Sequence, residues 1–60
     1  MMLTVDQYAE LLHTDPKTAQ LAGQMAWRAQ YKENDERTDA EQWMLDKATD
    51  ELIKQGRQAS

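Results

Sequence analysis

Sixty residues with eleven Asp and Glu against seven Lys and Arg leave a formal charge of −4, and there is no cysteine. A chain of this length forms one domain at most, has no disulfide or zinc–thiolate staple, and has no generic attraction to phosphate backbones or anionic lipid. No apolar run approaches the roughly 20 residues of a membrane span, and "MMLTVDQYAE" lacks the basic and apolar regions of a signal peptide, so a cytoplasmic protein with no membrane partner is expected.

Ala, Gln, Leu, Lys, Glu and Met are plentiful, whereas Val and Ile occur once each. With two Gly and one Pro, the turn chemistry of hairpins is missing too. The prediction is all-α, a three-helix arrangement in a single domain, residues 1–60. A short helix over about 5–13 precedes an antiparallel hairpin of helices over about 16–33 and 39–55.

The first helix starts after Thr4, a good N-cap with Gln7 three residues on, as in a capping box. Val5, Tyr8, Ala9 and Leu12 then share a face, with Leu11 beside it. "HTDPKT" ends this helix and opens the next. Pro16 disfavours helix at Asp15 and suits a first helical turn, so Asp15 is the expected N-cap, with Thr14 as the alternative.

"KENDER", Lys32 to Arg37, reads as a solvated loop in which Asn34 closes the second helix in a left-handed conformation. The third helix opens on Thr38, with Glu41 completing a capping box and Asp39 at the positive end of the dipole. Its apolar stripe is Ala40, Met44, Leu45, Ala48 and Leu52. Gly56 is the expected stop, Lys54 and Arg57 suit the negative end, and 57–60 are expected to fray.

The stretch "LTVDQYAELLHTDPKTAQ" resembles the helix-turn-helix that opens excisionase-type and mercury-regulator-type DNA-binding domains. Leu3, Thr4, Val5, Ala9, Leu11, Leu12 and Thr18 stand in matching places. The resemblance covers 18 of the 60 residues. It implies that Lys17, Thr18, Gln20 and Gln24 face a DNA major groove. The chain departs from that family at His13, where a small residue or Gly is usual. Its second helix is long and carries one Lys before Arg28, and no basic wing follows.

Projected at 100° per residue, the second helix has two distinct sides. Ala19, Ala22, Met25, Ala26 and Ala29 make a small-residue seam, fit for close docking of a helix of the same chain or of a second copy. On the other side lie Gln20, Gln24, Trp27, Arg28 and Tyr31, with Lys17 one turn earlier. A Trp–Tyr–Arg group of this kind suits a protein interface, unless the third helix or the N-terminus covers the two rings. Trp43 is expected at the edge of the core. Ile53 falls off the main stripe, so apolar side chains occur on more than one face, as in a homodimer or a protein with a dedicated partner. Gly23 marks either a close helix crossing or a tolerated defect worth about 1 kcal/mol.

Catalytic chemistry is hard to find. His13 is the only histidine and sits at a helix end, where it can cap carbonyls. Asp46 and Asp50, one turn apart, sit among Lys47, Glu51 and Lys54 as an ordinary charged face. No phosphate-binding glycine loop and no nucleophile–base pair exists. The expectation is a non-enzymatic protein with no cofactor, metal or small-molecule substrate. It acts on a protein partner or on itself, as inhibitor, adaptor or self-associating accessory protein, with DNA binding through Lys17–Gln24 as the alternative. In size and style the chain is similar to small proteins of bacterial viruses and mobile elements.

Overall fold

A computed structural model describes residues 3–56. Helix α1 spans Val5–Leu12, α2 Pro16–Ala29 and α3 Asp39–Lys54, with a single 3-10 turn at Asn34–Glu36 between α2 and α3. The fold is all-α, with no strand among the described residues. The tail expected to fray, with Arg57, lies outside them.

Each helix starts where its cap residue dictates. Thr4 accepts from the Gln7 N–H while the Thr4 N–H donates to Gln7 Oε1 at 2.8 Å, a complete capping box. Asp15 Oδ1 accepts from the Thr18 N–H at 3.2 Å, with Pro16 in the first turn of α2. These hydrogen bonds hold the Asp15 carboxyl below its ordinary range, the Thr18 contacts first among the causes. Thr38 accepts from the Glu41 N–H, and Glu41 Oε1 accepts from the Thr38 N–H at 3.0 Å.

The helix ends differ from expectation in two places. Helix α2 stops at Ala29 rather than near residue 33. Its last carbonyls are taken by i→i+3 bonds, Tyr31 N to Arg28 O and Lys32 N to Ala29 O, both 3.1 Å. Arg37 then reaches back, and its Nε donates to Ala29 O at 2.7 Å. The Ala29 carbonyl thus accepts a second hydrogen bond, from a side chain eight residues on. Asn34 opens the 3-10 turn and does not adopt the left-handed conformation. That conformation falls to His13, at φ 48° and ψ 49°, so α1 ends at Leu12. Gly56, at φ 72°, follows α3.

Helices α2 and α3 run antiparallel. Glu41 near the start of α3 pairs with Lys32 after α2, and Trp43 and Met44 share a groove with Thr18 and Ala22. Glu51, near the end of α3, lies 3.8 Å from His13 in the α1–α2 turn. The molecule is a slab measuring 29 × 28 × 16 Å along its principal axes. Leu3, Tyr8, Leu11, Ala26 and Ala48 form its core, with Leu12, Met44, Leu45 and Leu52 packed against them.

Gly23 sits where α2 crosses α1. A Cβ built there would lie 2.6 Å from the Val5 carbonyl oxygen and 2.9 Å from the Ala9 nitrogen. Both are backbone atoms of α1, so Gly23 is a close crossing and not a defect.

Ala40 is exposed, against its expected place in the α3 stripe, and Glu41 is buried instead. One residue along a helix turns the side chain by about 100°, which carries Glu41 inward as Ala40 turns out. Its carboxylate is affordable there because Lys32 Nζ donates to both oxygens, at 3.1 and 3.0 Å. The Thr38 N–H and the Lys32 ammonium hold the Glu41 carboxyl below its ordinary value.

Candidate interaction surface

The small-residue seam is occupied within the chain. Ala22, Ala26 and Ala29 are buried, and Ala19 and Met25 are half-buried. Small side chains bring the helix axes close here, so the seam is not available as an open face for a second copy.

The opposite side of α2 is open. Gln20, Gln24 and Arg28 are exposed, as are Lys17 and Thr18. Three large apolar or aromatic side chains stand among them: Leu21 at 62% exposure, Tyr31 at 55% and Trp27 at 37%. Trp27 and Tyr31 meet edge to face, with ring centroids 5.2 Å apart and planes at 74°. Tyr31 lies two residues past the end of the helix, but the tightened turn keeps it one helical turn above Trp27. Edge-to-face packing of this kind holds the two rings against each other.

Charge follows the same division. Lys17 and Arg28 are the only charged residues of α2, which contains no carboxylate in a chain of net charge −4. Neither takes an ion pair among the described residues. The outer face of α2 is therefore cationic, amide-rich and aromatic, in a chain that is acidic as a whole.

The four residues expected to read DNA do not all share a direction. Lys17, Gln20 and Gln24 point outward, whereas Thr18 lines the groove of about 420 Å³ shared with Ala22, Trp43 and Met44. The turn that precedes them, His13–Asp15, has three residues and a left-handed first position.

Trp43 lines this groove with Leu11 and Met44 but is not packed against the core. It is 55% exposed, on the outer flank of α3, with Lys47 Nζ 5.4 Å from the ring centroid. Glu41, Leu45 and Ala48 occupy the inner direction, which leaves Trp43 turned roughly 140° or more from them. Ile53 is exposed at 68%, on the same helix.

Several organising contacts escaped sequence reasoning. Gln30 accepts from Tyr8 Oη at 3.1 Å and from the Leu3 N–H at 3.3 Å, and its Nε2 donates to Leu3 O at 3.0 Å. One amide thus ties the residues before α1 to the end of α2. Burial first, and the neighbouring Tyr31 second, push the Tyr8 hydroxyl pKa upward. A lone Gln at a helix end gives no pattern that announces this role.

No group of three or more His, Cys, Asp or Glu able to hold a metal occurs among the described residues. Asp46 accepts from Gln42 at 2.8 Å, and no helix among them is long and apolar enough to cross a membrane. No family model, curated protein or solved structure matches this chain.

Proposed function

We propose that this chain is a non-enzymatic interaction module that binds a protein surface through the outer face of α2. The carrying observation is the coincidence, on one helix face, of exposed Leu21, Trp27 and Tyr31 with Lys17 and Arg28, which take no ion pair among the described residues. Aromatic and Arg side chains supply most of the energy at protein interfaces, because they bury large rigid areas at low entropic cost. Here Trp27 and Tyr31 are already braced against each other. The seam behind them is closed, so docking leaves the fold undisturbed.

The test is a double substitution, Trp27→Ala with Tyr31→Ala, which removes the aromatic group without touching the buried Ala22, Ala26 and Ala29. Partner capture is expected to fall at least tenfold while the helical spectrum stays unchanged. Unchanged capture removes the aromatic face from the account.

The three-residue turn at His13–Asp15 favours a second reading, DNA binding by Lys17, Gln20 and Gln24 as a helix-turn-helix. Duplex binding that falls steeply with salt and is abolished by Lys17→Glu selects this reading over the first.

A further inference from the structure

We infer that the partner of the α2 face includes a second copy of this chain, which presents the outer face of α3. The inference rests on the reading of α2 as an interaction face and names what it binds.

Lys17, Leu21, Gln24 and Arg28 follow one another at i, i+4, i+7 and i+11, and all four are exposed. Asp39, Trp43, Asp46 and Asp50 repeat the same spacing on α3, and all four are exposed too. This spacing lines side chains along one narrow helix face of about three turns. On α2 the stripe begins and ends with a cation and has Leu21 within. On α3 it begins and ends with a carboxylate and has Trp43 within. Both end-to-end separations are eleven residues, roughly 16 Å of helix.

The two stripes are therefore complementary in charge, in length and in the place of their apolar residue. Set side by side in parallel, they oppose Lys17 to Asp39, Leu21 to Trp43, Gln24 to Asp46 and Arg28 to Asp50. Set antiparallel, the ends still match, Lys17 to Asp50 and Arg28 to Asp39. Within one chain, none of these five charged ends and mid-stripe carboxylates takes an ion pair among the described residues. Lys47 caps the Trp43 ring without closing its exposed side. One pair of three-turn stripes is smaller than a standard interface, so association in the micromolar to millimolar range is expected.

Sedimentation equilibrium of the whole chain, from about 10 μM to about 1 mM, tests this. Mass is expected to rise above the 7.0 kDa of one chain as concentration increases. Asp50→Lys is expected to raise the dissociation constant about tenfold. In the double variant Asp50→Lys/Arg28→Glu, where every pair carries the exchanged charges, association is restored if the helices run parallel, and in Asp50→Lys/Lys17→Glu it is restored if they run antiparallel. Restoration in either double variant supports the pairing. Restoration in neither, or a wild-type mass fixed at one chain throughout, overturns it. The aromatic face has its own readout: in Trp27→Ala/Tyr31→Ala, capture of a different protein is lost or kept independently of how this charge exchange behaves.

Discussion

Replacing Gly23 by Ala tests the α1–α2 crossing on which the placement of every surface residue depends. In an open helix this change stabilises by about 1 kcal/mol, because Ala restricts the unfolded chain and has the better helix propensity. At Gly23 the added methyl would lie 2.6 Å from the Val5 carbonyl oxygen, 2.9 Å from the Ala9 nitrogen and 3.1 Å from the Ala9 Cβ. Two of the three are backbone atoms, which no rotamer change can move. Ordinary contact therefore requires α1 to retreat along its length by more than half an ångström, opening space around Tyr8 and Leu11. Overpacking of this kind costs about 1–3 kcal/mol, and the retreat of a whole helix belongs near the top of that range. After the propensity gain, a net loss of about 1–2 kcal/mol remains. In a domain of this size that lowers the melting temperature by roughly 4–16 °C. Helical ellipticity followed through thermal and urea unfolding measures it. A Gly23→Ala protein that melts at or above the wild-type temperature would show that the helices do not meet at Gly23.

Gln30→Ala removes the clamp on Leu3 and Tyr8 and is expected to cost about 1–3 kcal/mol in urea unfolding, with Tyr8→Phe costing less because Gln30 keeps its bonds to Leu3. Equal losses for the two variants would count against the clamp. His13→Gly relieves a left-handed backbone at the end of α1 and is expected to stabilise by about 0.5–1 kcal/mol. The lost His13–Glu51 contact, at 3.8 Å and exposed, offsets little of this. A lower melting temperature for the glycine variant would refute the turn geometry. Glu41 and Asp15 hold their protons more weakly when folded than in their ordinary ranges, so the unfolded chain binds more protons in acid. Their stabilisation is complete above the ordinary carboxylate range and declines as pH falls through it and below. Tyr8 has a raised pKa, so its contribution is complete below its ordinary value of 10.0 and is lost as pH rises beyond it. Urea midpoints across the pH range are expected to fall at both ends; a midpoint that holds steady into strong acid contradicts the Glu41 and Asp15 contacts.

The helix starts were legible because each rests on a local code. Thr4–Gln7, Asp15–Pro16 and Thr38–Glu41 satisfy N–H groups with side chains three residues away, and sequence spacing records that directly. The end of α2 was not legible, because it depends on Arg37, whose contact with Ala29 forms only once the chain has turned back. The burial of Glu41 in place of Ala40 was not legible for a related reason. Hydropathy placed the alanine inside, whereas the lysine that neutralises Glu41 comes from beyond the previous helix. Gly23 gave two readings until α1 was in place. The small-residue seam and the outer face of α2 followed from periodicity. Trp43 did not, since its size suggested the core and its angle on α3 turns it out.

The central claim is that the outer face of α2 receives a protein. A photo-crosslinking residue introduced at the exposed Gln24 tests it most directly, with the same residue at the exposed Thr49 of α3 as the control. Adducts with a protein other than this chain are expected from position 24, absent from position 49, and lost when Trp27 and Tyr31 are both alanine. Such adducts in equal yield from the two positions, or from position 24 in the absence of the aromatic pair, would contradict the account.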